Sequence, residues 1–189
     1  MPSLRLFIAI ETPRDILPQV AAIRDRLRTS KADVKWEPDE KLHATLKFLG
    51  NVDERLLPEI VLYIRGVGLT NPSLLLKYKG VGCFPNQRAP KVIWVGIEDL
   101  NGSLNSLQEK IESEFVPLGF EREERKFHAH VTLGRVKGDR EIRSLLRTME
   151  SITFESHPVA IQEIALIKSE LKPSGSVYTT SGTFPLQAK

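Results

Sequence analysis

The chain has 189 residues, 41% hydrophobic and 27% charged, which is the composition of an ordinary globular domain and excludes disorder as its main state. Lys and Arg number 27 against 24 Asp and Glu, a formal charge of +3 that permits an anionic ligand but is too small to coat a surface for nucleic acid. The apolar runs are strand-sized, far short of the ~20 residues that cross a bilayer, and the N-terminal residues carry no long apolar stretch of a secretion signal.

In chain order, Leu4–Ile10 reads as a buried strand. Ile16, Val20, Ile23 and Leu27 fall at helical spacing, with Asp15 as the expected N-cap and Pro18 in the first turn. Val34–Trp36 and Leu42–Leu49 read as strands, the second closed by Gly50 and Asn51. Asp53 is the expected cap of a helix to about Arg65, with Pro58 slightly deep in it, so a late start or a lost hydrogen bond is expected there. Leu74–Phe84 and Val92–Ile97 read as strands around a loop holding Arg88. Leu104, Leu107, Ile111, Phe115 and Leu118 form a helical stripe stopped by Gly119. A strand is expected over Phe127–Arg135. Asp139 should then cap a helix that turns Ile142, Leu145, Leu146 and Met149 inward. Strands at 159–168 and 177–184 end the chain, separated by a turn at 173–175. Strands so close in sequence pair mostly antiparallel, so the class is α+β.

One pattern occurs twice. Residues 43–46 read H-A-T-L and residues 130–133 read H-V-T-L, 87 positions apart and so close to half the chain. A repeat at half length suggests two related βα lobes facing a central cleft. In a strand, side chains alternate, so His43 and Thr45 share one face, and Lys47 has their parity, while Leu42, Ala44, Leu46 and Phe48 take the other. His130 and Thr132 likewise share a face. Two imidazoles in one cleft can act as an acid–base pair near neutral pH. Two Thr hydroxyls can donate to phosphate oxygens. The set suits in-line attack on a phosphodiester with no metal.

His128 adds H-x-H, a zinc-ligand pattern, but neither Cys83 nor His157 stands in a spacing relation to it as a third ligand. A solvent-facing His at the strand end is the favoured reading, and contact with the base or with His130 is the other. Arg135 has the wrong parity for the cleft unless a bulge at Gly134 turns it, and it either binds phosphate or pairs with an acid. Phe84, before Pro85 at a strand end, is the better base-stacking candidate, and Trp94, in an apolar strand, the better core residue. Tyr178 either contacts ligand or packs. Arg122, Arg125 and Lys126 read as solvated loop charges that could follow an RNA backbone. His157, before Pro158, reads as structural. The single cysteine excludes an internal disulfide and fits a reducing cytoplasm.

Segments in the order W-E-P-D-E-K-L-H-A-T-L-K-F-L-G (36–50), G-V-G-C-F-P-N (80–86), V-I-W-V-G (92–96), H-A-H-V-T-L-G-R (128–135) and S-E-L-K-P-S-G-S-V-Y (169–178) resemble the RNA 2',3'-cyclic phosphodiesterases. These are also called 2'-5' RNA ligases and belong to the two-histidine (2H) phosphoesterase superfamily. The resemblance covers nearly the whole chain, 1–189, as one bilobal domain. It implies opening of a 2',3'-cyclic phosphate at an RNA end to a 2'-phosphate, and the reverse 2'-5' joining of tRNA halves. It also implies His43 as proton donor, His130 as proton acceptor, Thr45 and Thr132 on the phosphate, no cofactor, and a monomer in the cytoplasm. A noncatalytic binder of RNA ends and a phosphoesterase for a small cyclic nucleotide or sugar phosphate are the alternatives.

Overall fold

The computed structural model describes residues 3–173 and 175–188. The first half holds β1 (Ser3–Glu11), α1 (Leu17–Arg28), β2 (Val34–Trp36), β3 (His43–Asp53) and α2 (Leu57–Thr70). Next come β4 (Leu74–Phe84), β5 (Val92–Asp99), α3 (Ser103–Glu114), β6 (His130–Val136) and α4 (Ile142–Glu150). The chain ends with β7 (Val159–Ile161), β8 (Glu163–Lys172) and β9 (Gly175–Pro185).

All the named strands pair antiparallel in one sheet of order β7-β4-β5-β6-β3-β1-β8-β9, with β2 alongside β6. The order is symmetric about its middle: β3 leads outward through β1, and β6 through β5. The two lobes meet there through a single bridge, Ala44 to Val131. The α+β class with two antiparallel lobes is therefore as expected.

The strands pack helices on one face and build the cleft on the other. Along β1, Leu6, Ile8 and Ile10 enter the main core, while Phe7 and Ala9 join Ala165, Ile167 and Tyr178 in a second, smaller cluster on the opposite face. That double burial is why β1 reads as a continuous apolar run rather than an alternating one. Helix α1 packs against α4 and β6, and α3 against α2, β3, β4 and β5.

Several local expectations need correction. Asp15 does not cap α1: the residue before the helix is Ile16, and the Asp15 carboxylate lies 2.8 Å from Nε2 of His157. Asp53 caps a 3-10 turn at 54–56, accepting from the Arg55 amide at 3.0 Å. Helix α2 makes the late start expected from Pro58, at Leu57, with Pro58 in its first turn where no N–H is needed, but it runs past Arg65 to Thr70. Strand β3 does not stop at Gly50, whose φ of +70° lets it run on to Asp53. Asp139 offers α4 only its backbone carbonyl, to the Ile142 amide at 3.4 Å. On α4, Leu145 and Met149 are buried, and Ile142 and Leu146 are half-buried against the same core. Strand β6 starts at His130, so 127–129 approach it as irregular chain. The turn at 173–175 includes Ser174, outside the described residues.

Candidate active site

The two H-x-T-L segments share one structural device. Along β3, Thr45 pairs with Ala9 and Lys47 with Ile8, so Leu46 is an extra residue in the ladder. Along β6, Thr132 pairs with Trp94 and Gly134 with Ile93, so Leu133 is extra. Each segment thus ends in a β-bulge at its own Leu. A bulge inverts the alternation beyond it. His43, Thr45, His130 and Thr132 keep the cleft face, all half-buried.

After the bulges the faces exchange, and two readings change. Lys47 does not edge the cleft: it is buried on the helix side, where its Nζ lies 2.5 Å from Glu112 Oε2 and donates to the Glu121 carbonyl at 2.8 Å. Phe48 turns to the cleft side, 66% exposed and 5.8 Å from the Phe7 ring. The equivalent inversion in β6 brings Arg135 to the side of His130, through a bulge at Leu133 rather than the one expected at Gly134, with its Nε 3.8 Å from Glu37 Oε1.

The bridge between Ala44 and Val131 brings the boxes together. Continuing that antiparallel register sets position 43 opposite 132 and position 45 opposite 130.

Both rings are held from behind by the chain two residues upstream. Nδ1 of His130 lies 2.7 Å from the His128 carbonyl, and His43 is hydrogen-bonded to the Lys41 backbone. A ring N–H donating to that carbonyl leaves the other nitrogen free as the reactive one. Each ring is also packed by aromatics. His43 stacks on Phe7 at 5.0 Å and meets the edge of Tyr178 at 5.4 Å. His130 meets Phe84 edge-on at 5.0 Å. Tyr178 is fixed by Lys41, whose Nζ sits 5.1 Å above its ring and donates to Ser176 Oγ at 3.1 Å. Glu11 pairs with His43 across β1 and β3, while its carboxylate accepts from Thr180 Oγ1.

Trp94 is not a core residue. It lies on the cleft face, half-buried, with ring contacts to Phe84 at 5.1 Å, His128 at 4.9 Å and His130 at 6.4 Å. The glycines around it make this possible. A Cβ on Gly82 would fall 2.3 Å from the indole, and one on Gly96 3.3 Å. The indole therefore lies flat across the sheet, and G-V-G with W-V-G was the signal in the sequence. Phe7, on a strand that reads as wholly buried, is the other cleft residue that sequence reasoning passed over. His128 is exposed at the strand entry, against Phe84. Among the described residues no three His, Cys, Asp or Glu side chains cluster as a metal site.

Burial lowers the pKa of both histidines. His43 falls from 6.5 to about 4, mainly because its ring is removed from water, with a smaller contribution from the nearby His130. His130 is lowered for the same first reason, with further lowering from His128 and Arg135. In each case the backbone acceptor opposes the shift.

Three kinds of likeness agree with this architecture. The model of the family described as LigT like Phosphoesterase matches residues 10–94 and again 95–178, one match per half. A protein of Methanothermobacter thermautotrophicus named RNA 2',3'-cyclic phosphodiesterase is 34% identical over 186 residues, 97% of this chain and 99% of its own. One of Thermotoga maritima with the same name is 34% identical over 175 residues, 93% of this chain and 91% of its own. Among solved structures, TT0787 of Thermus thermophilus superposes with a TM-score of 0.82 at 25% identity, covering 98% of this chain and 100% of that one. E. coli LigT with 3'-AMP shares the fold, with a TM-score of 0.78 at 23% identity, over 98% of this chain and 99% of that one. With both halves matched by one family and relatives of this identity over nearly full length, the chain belongs to the LigT-like phosphoesterases of the 2H superfamily.

Proposed function

We propose that this protein hydrolyses the 2',3'-cyclic phosphate at an RNA end to a 2'-phosphate, by acid–base catalysis between His43 and His130 and without a metal. One observation carries the reading: two half-buried imidazoles, on bulged strands bridged at Ala44 and Val131, share one cleft face with two threonines. The relatives' shared name supplies the substrate. His130 takes a proton from water as its oxygen bonds to phosphorus. The bond from phosphorus to the 3'-oxygen breaks, and His43 gives that oxygen its proton. Thr45 and Thr132 donate to the nonbridging oxygens. With an RNA 5'-hydroxyl in place of water as the nucleophile, the same forward steps, 5'-oxygen bonding to phosphorus as the 3'-oxygen leaves, make a 2'-5' bond, as joining tRNA halves requires. Phe84 and Trp94 offer the terminal base a stacking surface beside His130. The single Cys83 accords with a cytoplasmic setting, and among the described residues no helix is long and apolar enough to cross a membrane.

The two histidines are not equivalent. The Arg135 cation disfavours imidazolium at His130, which suits a base that must start neutral. The lowering at His43 comes mainly from lost hydration, and a bound phosphate supplies the negative charge that offsets it. A signed expectation for pH follows. The bell of kcat/KM reports the free enzyme. Both free imidazoles titrate below 6.5, so above that value the donor has lost its proton. The kcat/KM bell should centre on the acid side of pH 6.5, and the alkaline limb of kcat should lie at higher pH. A kcat/KM bell centred above pH 7 would contradict the assignment.

Activity should also persist after exhaustive dialysis against EDTA. Loss on chelation with recovery on added zinc would make His128 and His130 ligands instead.

A further inference from the structure

On β3 the bulge at Leu46 buries a cation and exposes the ring that follows it: Lys47 is 5% exposed and Phe48 66%. Hydration alone favours the opposite assignment, since a phenyl ring gains by leaving water and an ammonium loses. Such a local inversion is expected where a surface is kept for a ligand. Phe48 pairs directly with Phe7 across β1 and β3, so it stands on the cleft face. Its ring lies 5.8 Å from that of Phe7, which is buried and meets the rings of His43 at 5.0 Å and Tyr178 at 5.1 Å. Phe48 is thus the open end of an aromatic floor that reaches His43. Leu62 on α2 is also exposed, but it points away from the core on the helix side. Phe48 is three residues along β3 from Thr45, no more than roughly 10 Å at the rise of a strand.

In-line displacement decides what meets that ring. In the mechanism above the 3'-oxygen leaves toward His43, so the terminal ribose lies on the side of β1 and β3. The strand that precedes this ribose continues over the same lobe. The terminal base has Phe84 and Trp94 beside His130, which leaves the Phe48 ring to the base before it. We infer that Phe48 is the stacking platform for the base of the penultimate nucleotide. A free cyclic mononucleotide has no second base, so Phe48 makes the enzyme favour RNA ends over cyclic mononucleotides. Stacking uses the π-face that every base has, so the platform accepts all four. This inference rests on the phosphodiesterase reading for its substrate and strand direction, but its test does not need turnover.

The probes are a dinucleotide ending in a 2'-phosphate, the same dinucleotide with its first nucleoside abasic, and a nucleoside 2'-monophosphate, titrated by calorimetry. The wild-type protein should bind the full dinucleotide about 10-fold more tightly than the abasic one, the order expected of one base–aromatic stack. The abasic probe keeps the intervening phosphate, so the ratio reads the base and not the charge. Phe48→Ala should bring the ratio to within about 2-fold, Phe48→Trp should keep it, and Leu62→Ala should leave it as in the wild type. The monophosphate, which has no second base, is the reference for the rest of the site. A wild-type ratio near one, a ratio that survives Phe48→Ala, or equal weakening of all three probes in that variant overturns the platform. Turnover is measured in parallel on a cyclic mononucleotide and on a dinucleotide ending in a cyclic phosphate. Hydrolysis of neither would sink the phosphodiesterase reading and leave the binding ratio to decide the platform.

Discussion

His43→Ala and His130→Ala should each lower the hydrolysis of a 2',3'-cyclic phosphate by about 10²–10⁴-fold, the usual contribution of one general acid or base. The double variant should lose less than the product of the two, because both groups act in one transition state. A substrate with a better leaving group in place of the 3'-oxygen needs little protonation. It should restore the donor variant and leave the acceptor variant inactive. Restoration of His43→Ala supports His43 as donor and His130 as acceptor. Restoration of His130→Ala instead would reverse them, and near-wild-type rates in either single variant would remove the mechanism. This test matters because sequence symmetry hides the roles. The structure breaks that symmetry only through surroundings: Phe7 and Tyr178 around His43, Arg135 and His128 beside His130.

The largest expected stability effect lies behind the cleft. Lys47 and Glu112 form an ion pair with side chains only 4% and 5% exposed. The same carboxylate accepts from Gln108 Nε2 at 3.2 Å and from the Glu123 amide at 3.1 Å. Together these bonds tie β3 and α3 to the segment that leads toward the second H-x-T-L. Removing one partner strands a buried charge, so Lys47→Ala or Glu112→Ala should cost about 3–5 kcal/mol in urea unfolding. Replacing both with apolar residues, as Lys47→Met with Glu112→Leu, should recover much of that loss. A single-variant loss below about 1 kcal/mol would show that the pair is solvated rather than buried.

Lys47 also shows where the sequence stops being readable. Strict alternation assigns it to the cleft and Phe48 to the core, and the bulge at Leu46 exchanges them. Propensity and periodicity do not announce a bulge, because an extra residue changes the count and not the composition. The repeat of H-x-T itself was legible, since both residues precede the bulge in each strand. So were the strand and helix order and the antiparallel class, which follow from apolar spacing and short connections. Trp94 was misread for a related reason. An indole in V-I-W-V-G looks like core until Gly82, on the neighbouring strand, is seen to leave room for it on the other face. The caps at Asp15 and Asp139 failed because an acidic side chain near a helix start is only one of several partners for the end. Asp15 finds His157 instead.

If the paired histidines open a cyclic phosphate by expelling the 3'-oxygen, the phosphate must stay on the 2' position. The most direct test is to incubate the protein with an RNA ending in a 2',3'-cyclic phosphate and identify the terminal phosphate formed. A 2'-phosphate is the predicted product, absent when His43 or His130 is replaced by Ala. A 3'-phosphate, or an unchanged cyclic end, would contradict it.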